Sequence, residues 1–350
     1  RVFVLVKKKP RDIQVEAMRR CIESYENGSE FVVLEAPPGC HAKGQLILMS
    51  DGRLLSVEDV RVGDEIASPS GAQTVTELKH GIQEMVRIIP TKGEPFEVNL
   101  DHVLTLVDSE TGEVTDLSIR SYLTKSNSWR HHAKLFRAAG VEFDGGVSME
   151  KLPISPYVMG LFLGDGALTV SSIVCKEDPE LRDDLEREAV RFGLDLKFSG
   201  RAYRLTLSRG GDNRRSNELY ERIVQYGLNL ESGQRFIPYP YQRATTLARL
   251  ELLEGLMDTD GHLENNCYDY ISKSVELAEG VAFVARSVGL AAYVVRCEKS
   301  CQNNFTGTYW RVSISGETNK IPCRIERKKA APRQQKKNAL RTGFALQFLP

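Results

Sequence analysis

Two stretches, Val158-Met-Gly-Leu-Phe-Leu-Gly-Asp-Gly166 and Leu253-Glu-Gly-Leu-Met-Asp-Thr-Asp-Gly261, decide how this chain of 350 residues is read. Each is an apolar run at helical spacing that ends in Asp-Gly, and glycine is the usual helix terminator. Gly160 and Gly255 stand 95 positions apart (255 − 160). Later features recur in the same order: Arg191-Phe-Gly193 against Arg286-Ser-Val-Gly289, and Tyr203-Arg-Leu-Thr-Leu207 against Tyr309-Trp-Arg-Val-Ser-Ile314. A repeat this wide means two similar subdomains, not a solenoid of short units. Gly160 with Gly164, and Gly255 with Thr259, place small residues four apart, so each helix offers a flat stripe on which the other can pack. Side by side, the helices bring Asp165 and Asp260 together at one end. An acid in the last turn has the wrong sign for the helix dipole, a cost that points to a partner cation. Paired carboxylates near a scissile phosphate bind Mg²⁺ and activate water for in-line attack.

Outward from these helices, residues 40–110 have a different texture. Gln45–Met49, Arg53–Ser56, Glu65–Ala67, Val86–Ile89 and Val103–Val107 are short apolar or alternating runs separated by Asp51-Gly52, Gly63-Asp64 and Pro69-Ser-Gly71. Such spacing means an all-β unit. It opens at Cys40, whose thiol is the strongest nucleophile available near neutral pH. The residue before it, Gly39, has no side chain to obstruct its carbonyl. Residues 111–150 carry basic and aromatic content, Trp129-Arg-His-His132 included, but no assignable motif. Adjacent histidines do not face one metal site.

At the other end, Val2–Val6 reads as a short buried strand. Ile13, Ala17, Met18, Cys21, Ile22 and Tyr25 recur at helical spacing, and Phe31–Ala36 is a strand that runs into Pro37-Pro-Gly39. A strand followed by a glycine turn is how a phosphate-binding loop begins, but the Gly-Lys-Ser/Thr half is missing. After Gly39 comes Cys40-His-Ala-Lys43-Gly44.

Composition sets bounds around these motifs. Lys+Arg and Asp+Glu are both 47, so whole-chain charge gives no argument for a nucleic-acid partner and leaves only local patches. Hydrophobic residues make up 41% of the chain, enough for large cores. No apolar run approaches the roughly 18 residues of a membrane-spanning helix. The seven cysteines are scattered, with no CxxC pair. That argues against a disulfide scaffold or a cysteine zinc site and favours a reducing, cytoplasmic setting.

The stretch Cys40–Gly52, then Val60-Arg-Val-Gly-Asp64, then Asn99-Leu-Asp-His102, in this order and at these distances, resembles the N-terminal splicing region of an intein, the Hint-type domain. The resemblance implies self-splicing, begun when Cys40 attacks the Gly39 carbonyl at the Gly39–Cys40 junction. His102 and Asn99 would then assist as donors to the leaving amide. The family more often has Thr where Asn99 stands. The two Asp-Gly helices resemble the paired motifs of LAGLIDADG (DOD-type) homing endonucleases, found inside many inteins. That likeness implies an α+β domain of pseudo-two-fold αββαββα repeats, Mg²⁺ held by Asp165 and Asp260, and a double-stranded DNA target. It also implies active-site lysines, for which Lys273 and Lys176 are the counterparts, and a basic residue before Ile237-Pro238, which is Arg235. Family members contact DNA through sheets that follow the motif helices; here these carry Arg201, Arg204 and Arg209, then Trp310 and Arg311. Residues 320–341, with nine Lys/Arg and one acid, read as a mixture of DNA-contacting arm and solvated linker.

Arg11-Asp-Ile-Gln14 and Ala36-Pro-Pro-Gly39 resemble the adenine-reading element and the first half of the nucleotide motif of superfamily-2 helicases. The implied host would bind ATP through Arg11, Gln14 and Gly39 once the insertion is spliced out, the exteins acting in cis.

The expected organisation is a mixed α/β multi-domain chain. Residues 1–39 are a host segment. Residues 40–150 are the N-terminal part of an all-β splicing domain. Residues 151–335 are a monomeric endonuclease with repeats at about 151–245 and 246–320. Residues 336–350 begin the returning splicing segment. No His-Asn pair follows, so this chain is expected to stop short of complete splicing. A stand-alone DNA endonuclease and a catalytically dead DNA-binding relic are the competing readings.

Overall fold

The computed structural model describes residues 2–6, 40–68, 70–168, 172–173, 178–198, 203–207, 217–300, 306–332 and 338–349. Two units emerge: Arg1–Phe136 with Arg341–Pro350, and Arg137–Leu340.

The first unit is made of short antiparallel strands. Met85–Pro90 lies between Phe96–Asn99 and Phe344–Phe348. Val103–Asp108 lies between Val114–Ser118 and Ala133–Phe136, and the latter pairs with Arg341–Thr342. Alternation decides the faces: Val86 and Ile88 are buried with Val98, Leu104 and Leu106, while Arg87 between them points out to Glu97 at 2.6 Å. The expected strand Val2–Val6 forms, and it pairs antiparallel with Gln73–His80 inside this unit. Arg11, Gln14 and Gly39 lie outside the described residues.

The strands of this unit are interrupted after Ser118 by helical turns, so the all-β expectation is met only in part. Ile119–Leu123 and Asn127–His132 are short helices. Each is started by a serine: Ser118 Oγ accepts from the Ser121 amide and Ser126 Oγ from the Trp129 amide. Local capping wins where no strand partner is on offer.

The second unit repeats one order of elements. A helix, Pro156–Asp165, is followed by strands Gly166–Ala167 and Ser172–Ile173, the helix Arg182–Arg191 and the hairpin Leu194–Phe198/Tyr203–Leu207. A second helix, Thr246–Asp260, is followed by Gly261–Glu264 and Cys267–Ser272, the helix Val275–Ser287 and the hairpin Ala291–Ser300/Thr306–Ser315. The last four strands form one antiparallel sheet. Gly193 and Gly289 follow the two connecting helices with φ of 62° and 88°, a conformation that favours glycine. A single apolar core runs through the unit and contains both motif helices. No helix among the described residues is long and apolar enough to cross a membrane.

Candidate active site

The two motif helices meet backbone to backbone. A Cβ on Gly160 would lie 2.8 Å from Leu256 N and 2.9 Å from Gly255 Cα. One on Gly255 would lie 2.9 Å from Leu161 N and 3.0 Å from Gly160 Cα. One on Gly164 would lie 2.7 Å from Thr259 Cβ, so the small-residue stripes face each other at both levels. Every residue from Pro156 to Leu163 is buried, as befits a helix that is apolar all round.

The terminal glycines act differently from the expectation. Gly166 and Gly261 have φ of −71° and −69°, in the extended region and not the left-handed one. They are needed because a Cβ would run into the preceding turn, 2.8 Å from Phe162 Cα and 2.6 Å from Met257 O respectively.

Asp165 is half-buried and Asp260 exposed at the shared end of the pair. Their charges act together on the same two buried groups, Arg235 and Tyr270. Tyr270 pairs across the sheet with Gly261, the residue after Asp260. Burial, then the Asp260 charge, pushes its phenol well above the ordinary range. Burial draws the Arg235 guanidinium down, and Tyr270 and the two aspartates oppose that.

Each motif helix has a cation seated on its final carbonyls. Arg235 Nη1 donates to Leu163 O at 3.0 Å and Gly164 O at 2.8 Å, and Nη2 donates to Gly166 O. Lys328 Nζ donates to the carbonyls of Met257, Asp258 and Thr259 at 2.9, 2.6 and 2.6 Å. Both cations are buried, and both complement the negative end of a helix. Each is fixed from behind through its own carbonyl. Ser274 Oγ donates to Arg235 O at 2.5 Å, and the Tyr268 hydroxyl donates to Lys328 O at 2.6 Å. The cation called for by an acidic last turn is thus supplied twice by the protein.

Sequence reasoning missed Lys328. It lies 93 positions after Arg235 (328 − 235), close to the repeat offset, but it follows an Ile-Pro pair, Ile321-Pro322, where Arg235 precedes one. The basic run around it is a strap inside the second unit. Arg324 stacks 3.6 Å over the Tyr157 ring, donates through Nε to Glu254 at 2.8 Å and pairs with Asp184; Arg327 holds both oxygens of Asp178. Arg324 N and the Tyr157 hydroxyl donate to Asp258 at 2.9 and 3.0 Å, while burial pushes that carboxyl up to about 6. The reading of 320–341 as arm and linker is therefore corrected for residues 324–328, because buried carboxylates and helix carbonyls take up those cations.

The other proposed residues are more scattered. Lys273 is exposed in the turn between Cys267–Ser272 and the helix that Ser274 caps. Arg204 is exposed opposite Lys197 on the first hairpin. Arg311 points outward from the four-stranded sheet, 3.9 Å from Asp269, while Trp310 turns toward the core. Lys176, Arg201 and Arg209 lie outside the described residues. Among the described residues, no group of three or more His, Cys, Asp or Glu is placed to hold a metal ion. Asp165 and Asp260, two carboxylates among main-chain carbonyls, still suit Mg²⁺, which takes one or two carboxylates and completes its shell with waters and substrate phosphates.

In the first unit, Cys40 lies alongside the strand that ends at Asn99. Asn99 N donates to Cys40 O at 3.1 Å, Ala42 N donates to Glu97 O at 2.9 Å, and Cys40 N donates to Asn99 Oδ1 at 2.8 Å. A tight turn, His102 N to Asn99 O at 3.2 Å, brings His102 back beside this point, its ring 4.6 Å from that of His41. Burial lowers His41 to about 4, so it is neutral at pH 7. Asn99 was expected to donate to the leaving amide. It accepts instead, because a backbone N–H can only donate.

Residues 248–321 match the family model of a LAGLIDADG-like domain. This segment contains Asp260, Tyr270, Lys273 and Arg311 and stops short of Lys328. A comparison with curated proteins finds no match. Among solved structures, the chain is similar to one from a study of the structures and dynamics of mesophilic variants from the homing endonuclease I-DmoI. The identity is 14%, over 48% of this chain and 90% of that one, with a TM-score of 0.33.

Proposed function

We propose that the second unit is a metal-dependent endonuclease for double-stranded DNA. The observation that carries this is the convergence of Asp165 and Asp260 at the end of a glycine-packed helix pair. Asp165 and Asp260 would hold Mg²⁺, which when bound would polarise the scissile phosphate and lower the pKa of water. Arg235 and Lys328, seated on the helix carbonyls, hold the two helix ends that carry the carboxylates, and Arg204 and Arg311 offer positive charge to the DNA backbone. The test is incubation of a randomised duplex library with the full chain and Mg²⁺. Specific double-strand breaks are expected, with at least a thousandfold loss in the double variant Asp165→Asn/Asp260→Asn. Equal cleavage by that variant, or binding with no cleavage by the parent, sinks the reading; the latter result favours the DNA-binding relic.

We further infer that the first unit performs the opening step of protein splicing, making the chain an intein in a helicase-like, ATP-binding host. The contact that supports this is the Cys40 N–H bond to Asn99 Oδ1. Cys40 Sγ attacks the Gly39 carbonyl carbon. The new S–C bond replaces the C–N bond of the junction, and the thiol proton ends on the Cys40 nitrogen as His102 assists its departure. Dithiothreitol would intercept that thioester and release residues 1–39, detected by intact mass. Cys40→Ala would abolish the release. A silent Cys40→Ala, with parent and variant behaving alike, leaves the stand-alone endonuclease.

A further inference from the structure

Gln83 belongs to no motif. It sits half-exposed in the connection Gly81-Ile-Gln-Glu84, between the strands Gln73–His80 and Met85–Pro90. Its side-chain oxygen nevertheless reaches two groups of the Cys40 site at once. Cys40 Sγ lies 3.4 Å from Gln83 Oε1, and Asn99 Nδ2 donates to the same oxygen.

The polarity of this chain of bonds follows from its one obligatory donor. The Cys40 amide can only donate, so Asn99 must turn its oxygen toward it. That leaves the Asn99 NH₂ facing Gln83, which must therefore present its own oxygen. The Gln83 oxygen then has a second lone pair for the thiol, a weak donor. A flipped Asn99 would set two donors against each other at Cys40 and two acceptors against each other at Gln83.

We propose that Gln83 is a positioning residue of the Cys40 site. It holds Asn99 in the orientation that grips the Cys40 N–H and so sets the plane of the scissile peptide. It also accepts from the thiol and so restrains it to one rotamer. This rests on the thioester reading given above. No proton is transferred to Gln83, and its amide stays neutral throughout.

The experiment uses the full chain as parent, Gln83→Met, Asn99→Ala and the double variant, with far-UV circular dichroism as the folding control. Two quantities are read. The first is release of residues 1–39 by dithiothreitol. The second is hydrogen exchange of the Cys40 amide against that of Val98, a neighbour on the paired strand. Gln83→Met, close in length but lacking the acceptor, is expected to slow release roughly tenfold, about 1.4 kcal/mol. Adding it to Asn99→Ala should cost less than the two single losses combined, since both act in part through the bond between them. The Cys40 amide should lose protection selectively, with Val98 unchanged, a pattern that general loosening would not give. Parent-like release together with parent-like Cys40 exchange in Gln83→Met overturns the proposal. If the parent itself releases nothing, the thioester reading fails, and Cys40 exchange still decides whether Gln83 orders the site.

Discussion

Asp165 and Asp260 owe their position to main chain pressed on main chain, at Gly160 and Gly255, with a buried cation closing each helix end. Cys40 is laid along the strand that ends at Asn99 by backbone bonds, and its N–H is oriented by a relay of side-chain amides, Gln83 to Asn99 to the Cys40 N–H, on a strand end and a loop. The first arrangement is stiff because any added atom meets a backbone that has nowhere to go. The second is softer, because it is held by side chains through bonds each worth only about 1 kcal/mol net. On the proposed functions, a pair of carboxylates that is to hold a metal needs fixed separation. A thiol that is to travel to a carbonyl needs orientation more than rigidity.

Four substitutions can break or sharpen this contrast. The largest effect belongs to Gly255→Ala, whose methyl has no room against the Pro156–Asp165 helix; a loss of about 3 kcal/mol is expected in urea unfolding of the second unit. A loss under 1 kcal/mol would mean that the helices can slide apart and are not stiff. Next, Lys328→Met strips donors from three carbonyls, at a cost of about 2 kcal/mol, and Arg235→Met should match it if the two caps are equivalent. A large inequality between the two would show that the ends of the pair are built unlike one another.

The smallest concerns the first unit and pH. His41 titrates near 4 in the folded chain against about 6.5 when unfolded, so between these values the unfolded state holds more protons. The stability tied to neutral His41 is complete above pH 6.5 and is lost as pH falls toward 4. From pH 6.5 to 5.5 the loss is up to about 1.4 kcal/mol. His41→Gln should flatten that part of the profile, and an unchanged slope would show that His41 is solvated.

The same contrast explains what could be read beforehand. The helix pair was legible because close backbone approach excludes every side chain but the smallest, which leaves glycines at fixed spacing in two places. Arg235 was legible beside Ile237-Pro238. Lys328 was not, because it sits in a run of cations of the kind that usually faces water, and only the carbonyls of Met257–Thr259 distinguish it. Cys40, Asn99 and His102 stood out as a pattern, whereas Gln83 comes from a connection with no periodicity. The helices Ile119–Leu123 and Asn127–His132 escaped because five or six residues are too few to show a helical period, and their serine caps are the only signal.

The all-round burial of Pro156–Leu163 has a consequence in time. This helix has no wet face, so there is no state in which it can stand alone in water, and its closest cover, backbone to backbone, belongs to Thr246–Asp260. A ribosome working at roughly 5–20 residues per second needs on the order of ten seconds to make the intervening chain. For that interval every nascent molecule displays an apolar cylinder to its neighbours. The glycine contact that makes the finished unit rigid therefore makes its birth the moment of greatest risk, and yield in a cell should depend on how fast translation runs between the two repeats.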